Sequence, residues 1–176
     1  MNTVIIALGS NIEKERNLPL ALKMLREMCR VTAVAPIYET IPAGLLNQPN
    51  FWNTAVLIKT TLTPTQIKQE VIGPIETKLG RVRQADSNAP RTIDLDIVLF
   101  NDAVGEYEGG DGRKRLLPDP DLLKFPHLVV PVSDLAPIMP HPLSGETMAH
   151  LAERLLAEMS EQMGERPLWE VQIRVF

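Results

Sequence analysis

The chain has 176 residues, 44% of them apolar and 23% charged, with a formal net charge of −4. This balance suits one soluble domain over residues 1–176 and excludes a disordered, collagen-like or membrane-spanning chain; the acidic balance gives no reason to expect nucleic acid or anionic lipid as a partner. Cys29 is the single cysteine, so an internal disulfide or a cysteine-based zinc cluster is excluded and a reducing cytoplasm is the expected compartment.

Residues 4–8 are a continuous apolar run stopped by Gly9-Ser10-Asn11, which reads as a buried strand and a turn. Helix one follows: Asn17 is a candidate cap, Pro19 suits the first turn, and Leu18, Ala21, Leu22, Leu25 and Met28 recur at helical spacing. Residues 31–38 and 52–62 read as strands, separated by a loop over residues 39–50 that is too long for a simple hairpin. Thr63-Pro64-Thr65-Gln66 is a capping-box helix start, and helix two continues through Ile67, Val71, Ile75 and Leu79, with a kink or break expected at Gly73-Pro74.

The cleanest strand covers residues 92–100. Ile93, Leu95, Ile97 and Leu99 should face one way, and Thr92, Asp94, Asp96, Val98 and Phe100 the other. Residues 101–115 read as an exposed loop or hairpin tip. Of the 15 prolines, seven fall in residues 116–142, which predicts irregular chain with at most short helical turns there. Helical period returns over residues 147–163, and residues 169–176 alternate enough for a last strand. The order strand, helix, strand, strand, helix, strand predicts an α+β, ferredoxin-like βαββαβ core: a mostly antiparallel sheet, helices on one face, and long loops over the active site.

The strongest chemical signal is Asp94-Leu95-Asp96. Carboxylates at i and i+2 of a strand project to one side, roughly 7 Å apart, and can converge on hard cations. Isolated pairs of this kind more commonly just solvate an exposed face. Arg81, Arg83 and Arg91 lie within eleven residues of one another, and guanidinium forks beside a carboxylate-held metal are a recurring means of stabilising phosphoryl transfer. A surface salt-bridge network is the simpler use of the same residues, and no Walker-type or kinase-type glycine-rich loop accompanies them.

Leu8-Gly9-Ser10-Asn11, Tyr38-Glu39-Thr40, Gln48-Pro49-Asn50-Phe51-Trp52-Asn53, Ile75-Glu76 before Leu79-Gly80-Arg81, and the run Pro90 to Ile97 together resemble the 6-hydroxymethyl-7,8-dihydropterin pyrophosphokinase family of folate biosynthesis. Leu135-Ala136-Pro137 and His141-Pro142 extend the likeness. The resemblance implies transfer of the β,γ-diphosphate of ATP to the hydroxymethyl group of a dihydropterin, with release of AMP. It implies that Asp94 and Asp96 hold two magnesium ions, and that Glu76, Arg81, Arg83, Arg91 and Ile97 lie on the nucleotide side. Thr40, Pro42, Ala43, Phe51 and Asn53 would form the pterin site. Asp94, Asp96, Arg81 and Arg91 would carry the chemistry, and residues 84–89 and the loop after Tyr38 would close over it. The chain departs from the family pattern at Gly73, Ser87, Asn88, Asp119 and Phe125; His127 stands where the family has a second pterin-stacking aromatic, and can still stack. The rival readings are a diphosphotransferase for another heterocyclic alcohol, a noncatalytic nucleotide-binding relative, and an RNA-binding ferredoxin-like domain, the last disfavoured by the acidic balance and the lack of aromatic RNA-binding strand motifs.

Overall fold

The computed structural model describes residues 1–42, 47–82, 88–163 and 168–171. The first apolar run forms β1 (Asn2–Ser10), which pairs antiparallel with β4 (Phe51–Thr60) on one side and β5 (Asp94–Phe100) on the other. Both β2 (Arg30–Val34) and β3 (Ile37–Thr40) pair with β4, one after the other along its length, and β8 (Leu168–Val171) adds outside β3. The sheet order β5-β1-β4-β3-β8, with β2 also on β4, is the expected ferredoxin-like arrangement. Residues 31–38 are therefore two strands and not one. The ladder breaks at Ala35-Pro36, where Ala35 still donates to the Ala55 carbonyl at 2.9 Å but Pro36 has no N–H to give.

One sheet face buries Val4, Ile6, Leu8, Val56 and Ile58 beneath two helices. Helix α1 (Lys14–Met28) contributes Leu18, Leu22 and Leu25. It starts a turn earlier than the sequence suggests: Asn17 lies inside it, buried, and its Nδ2 donates back to the Ile12 carbonyl at 2.8 Å instead of capping. Helix α2 opens on the expected capping box, with Gln66 N–H donating to Thr63 Oγ1 at 3.3 Å and Thr63 N–H to Gln66 Oε1 at 2.9 Å. It runs as Pro64–Gln66, a π-helical stretch Ile67–Ile72, and Gly73–Lys78. The interruption expected at Gly73-Pro74 takes the form of this π turn, in which Gly73 N–H reaches the Lys68 carbonyl five residues back.

The two helices of the core unit thus share one face. A second pair covers the other, where Ile5, Ala55, Val98 and Leu99 pack under α3 (Pro126–Leu135) and α4 (Met148–Met163). The ten-residue α3 corrects the expectation of irregular chain over residues 116–142 for its own span; residues 118–125, with the 3-10 turn Pro120–Leu123, and residues 136–142 fit it. Pro120 and Pro126 sit at helix starts, where a missing donor costs nothing. Pro131 does fall inside α3, and burial of Val129, Val130 and Val132 on the sheet outweighs the hydrogen bond it forfeits.

The alternation in β5 also needs correction. Ile5 lies opposite Leu99 and Ile6 opposite Ile97, so Val98 is an extra, bulged residue. Leu95 and Ile97 face α1 and α2 as expected, but beyond the bulge Leu99 joins Val98 on the α3/α4 side and Phe100 packs back with the first cluster. Past β5 the chain makes a separate hairpin of β6 (Gly105–Glu108) and β7 (Lys114–Leu117). Among the described residues no helix is long and apolar enough to cross a membrane.

Candidate active site

Sheet register builds the site. Tyr38, Asn53, Gly9 and Asp94 stand opposite one another across β3, β4, β1 and β5. Asn53, Gly9 and Asp94 share parity with Ala55 and Ala7, so they point toward the α3/α4 side, beyond where those helices fill the space. A side chain at position 9 would block this row: a Cβ there would stand 3.1 Å from Asn53 Oδ1. The adjoining Asn11 is a buried clamp. Its Nδ2 donates to Gln48 Oε1 at 2.9 Å and the Pro49 carbonyl at 3.0 Å, and its Oδ1 accepts Arg91 N–H at 2.8 Å. Ser10 Oγ donates to the Thr92 carbonyl at 2.6 Å. The Gly9-Ser10-Asn11 turn therefore ties the loop before β4 to the Pro90-Arg91-Thr92 approach to β5.

Asp94 and Asp96 lie on one side of β5, each beside cationic side chains. Arg91 Nη1 is 2.5 Å from Asp94 Oδ2 and Arg81 Nε 3.4 Å from Oδ1. Asp96 Oδ1 accepts from Lys68 Nζ at 3.1 Å. Three cavities meet along this line. The largest, about 460 Å³, is lined by Thr40, Phe51, Asn53, Arg91, Phe125 and His127, among others. A narrow throat of about 140 Å³ brings Asp94, Asp96, Asp119 and Asp121 together with Gly9 and His127. A third, about 310 Å³, lies on the other side of Asp96 and Asp119, walled by Ile97, Tyr107, Arg115 and Leu116. The throat shares lining residues with both larger cavities, so the three form one trench.

The largest cavity offers flat surfaces and amide chemistry. His127 stacks on Phe125 with ring centroids 5.3 Å apart and planes 29° off parallel, and the Arg91 guanidinium lies 5.6 Å from the Phe51 ring centroid. Asn53 Nδ2 donates to Thr40 Oγ1 at 2.8 Å, which fixes the amide and leaves its Oδ1 as an acceptor. Burial pushes the His127 imidazolium down to about 4, against the opposing pull of Asp121, so the ring is neutral near pH 7. Burial, reinforced by the charges of Asp96 and Asp121, pushes the Asp119 carboxyl up to about 6. Burial also raises Glu76 and Tyr107. Among the described residues no group of three or more His, Cys, Asp or Glu side chains is disposed to hold a metal ion. Two carboxylates completed by substrate phosphate oxygens are nevertheless the usual donor set for magnesium, and Asp94 with Asp96 at the throat fits it.

Most sequence-predicted residues converge on this trench. Thr40, Phe51, Asn53, Arg91, Asp94 and His127 line the largest cavity, Asp96 the throat, and Ile97 the third. Arg81 reaches the site through Asp94, and Pro42 is buried next to the lining residue Ile41. Glu76 lines none of these cavities; it is 5% exposed and accepts Leu95 N–H at 3.0 Å from behind β5. Ala43 and Arg83, together with Ser87 and most of the closing stretch 84–89, lie outside the described residues. Sequence reasoning missed Lys68, Tyr107, Arg115 and Asp121, and gave Phe125 no role. The repeated Pro-Asp of residues 118–121 was the available signal for a second pair of carboxylates.

A family model described as 7,8-dihydro-6-hydroxymethylpterin-pyrophosphokinase matches residues 5–137. A 2-amino-4-hydroxy-6-hydroxymethyldihydropteridine pyrophosphokinase of Bacillus subtilis is 38% identical over 76% of this chain and 78% of its own length. One of the same name from Aquifex aeolicus is 33% identical over 81% of this chain and 86% of its own. A folic acid synthesis protein of Dictyostelium discoideum is 31% identical, and there the match spans only 20% of the relative. In three dimensions the crystal structure of wild-type Plasmodium falciparum HPPK-DHPS with pteroate superposes with a TM-score of 0.77 over 98% of this chain and 46% of that one; at 14% identity this likeness concerns the fold.

Proposed function

Because the chain belongs to the 7,8-dihydro-6-hydroxymethylpterin-pyrophosphokinase family, we propose that it transfers the β,γ-diphosphate of ATP to the hydroxymethyl group of 6-hydroxymethyl-7,8-dihydropterin and releases AMP. The observation that carries this reading is the trench: two unlike cavities joined at Asp94 and Asp96. One suits a flat, amide-like heterocycle, the other a nucleoside, and the reacting groups would meet at the carboxylates.

In this reading the pterin lies against Phe51 and the Phe125–His127 stack, with its lactam and amino edge on Asn53 and Thr40. The neutral His127 ring offers a stacking face without a charge. The nucleoside lies beside Ile97, Tyr107 and Leu116, and Arg115 and Lys114 border its phosphates. Arg81 and Arg91, which balance Asp94 in the structure, turn from it to the incoming phosphate oxygens. Arg83 belongs on the same side by its place in the motif. Asp94 and Asp96 would hold magnesium, two ions in our reading, which would supply positive charge against the triphosphate and the transferring group. The substrate hydroxyl attacks the β-phosphorus in line, its proton oriented or accepted by Asp94, and AMP leaves. Glu76 acts from behind, by fixing the Leu95 backbone between the two aspartates. Residues 1–176 work as one domain, in the cytoplasm.

Incubation with ATP, magnesium and 6-hydroxymethyl-7,8-dihydropterin should release AMP in step with pterin diphosphate. Release of ADP alone, or of AMP without pterin consumption, overturns the assignment.

A further inference from the structure

Lys68 is the one lysine among the buried residues described, 4% exposed, and it shares the buried side of the π-helical stretch with Ile67, Val71 and Ile72. An ammonium among isoleucines is costly unless it is paired, and a methionine would fill the same space without that cost. Its partners all belong to the strand and helix behind the site. Nζ donates to the Leu95 carbonyl at 2.6 Å and to Asp96 Oδ1 at 3.1 Å, and lies 4.0 Å from Glu76 Oε1. The π turn accommodates it: Gly73 N–H bonds the Lys68 carbonyl, and a Cβ at position 73 would stand 3.1 Å from that oxygen. Asp96 itself is 44% exposed at its side chain, so it is held from beneath by a buried cation while presenting surface to the trench.

We propose that Lys68 is a resident counter-ion for Asp96, which orients the carboxylate and holds down its affinity for divalent cations until a triphosphate adds its own oxygens. The inference rests on the reading of Asp96 as a cation ligand. Two effects of the ammonium oppose each other. Fixing the carboxylate removes little rotamer entropy from so short a side chain, worth a few-fold in affinity at most. A unit positive charge in direct contact with the ligand repels a dication more strongly than that, even with Glu76 offsetting part of it. Repulsion therefore wins, and the metal should enter mainly in company with the nucleotide.

The test is Mn²⁺ binding without nucleotide, followed by electron paramagnetic resonance of the free ion, on the full chain. Lys68→Met combined with Glu76→Gln keeps the buried net charge at zero and removes the counter-ion. It should bind Mn²⁺ about tenfold more tightly than the natural chain, and the gap should shrink when a non-hydrolysable ATP analogue is present. Glu76→Gln alone, which leaves Lys68 unbalanced, should bind Mn²⁺ more weakly, and it decides the matter if the double variant fails to fold. Equal or weaker binding by a folded double variant, or unchanged binding by Glu76→Gln, overturns the counter-ion. Mn²⁺ binding that Asp96→Asn leaves intact overturns the cation-ligand reading as well.

Discussion

Replacing His127 by phenylalanine should make the protein resist acid. Burial holds the imidazole at about 4 in the folded protein, against 6.5 for an ordinary histidine. Because the folded value is the lower one, the unfolded chain takes up the proton first as the pH falls. The contribution of His127 to stability is therefore complete above pH 6.5, declines as the pH drops, and levels off below pH 4. The gap corresponds to a loss of about 3 kcal/mol in all. Phenylalanine keeps a ring against Phe125 and has nothing to protonate. Thermal melts of both proteins in the presence of EDTA, from pH 8 to pH 4, measure the difference. At pH 8 any offset reflects packing alone; by pH 4 the variant should have gained roughly 6–12 °C on the parent, at about 2–4 °C per kcal/mol for a chain of this size. Melting curves that stay parallel across that range would refute a neutral, desolvated His127.

Asp96→Asn should lower AMP release about a thousandfold while the far-ultraviolet circular dichroism is unchanged; a variant that retains a tenth of the parent rate removes Asp96 from the chemistry. Asn53→Ala takes away the amide that Thr40 holds in place, so KM for the pterin should rise about ten- to a hundredfold with KM for ATP unmoved, and a shift of both together argues for general damage instead. Thr63→Ala breaks the capping box of α2 and should cost about 1 kcal/mol, or roughly 2–4 °C, with no change in kcat. If its melting point equals the parent's, the cap contributes nothing in this context.

The sheet and the shared side of the Asp94–Asp96 pair were legible because their signals are local. Alternation around Asp94 and Asp96 sets their common side, and the apolar period of α1 and α2 sets the face they bury. What the sequence hid depends on partners distant in the chain. Val98 is apolar like its neighbours, so no break in pattern marks it as the bulge; only pairing with Ile5 and Ile6 reveals it. Proline content pointed away from α3, yet Pro126 stands where a helix needs no donor, and the sheet beneath rewards the valines around Pro131. Lys68, one position past Ile67, reads as the polar edge of a helix until Asp96 and Glu76 are seen beside it. Phe125 and His127 sit five and seven positions after the 3-10 turn begins, and their stacking over the trench follows from how that turn is placed above β1 and β5.

The bulge at Val98 gives β5 a mechanical joint. Ahead of it, parity commits Asp94 and Asp96 to the trench; behind it, the flipped parity determines how the chain leaves the sheet to form the β6–β7 hairpin that walls the third cavity. Deleting the extra residue at the joint would leave the aspartates, Leu99 and Phe100 all on their present sides and opposite their present partners in β1, because Val98 has no partner of its own there. The hairpin wall of the third cavity and the pair Asp94 and Asp96 are thus carried by separate elements, β6–β7 and the leading half of β5. A change confined to the β6–β7 hairpin would reshape the third cavity and leave Asp94 and Asp96 in register with β1.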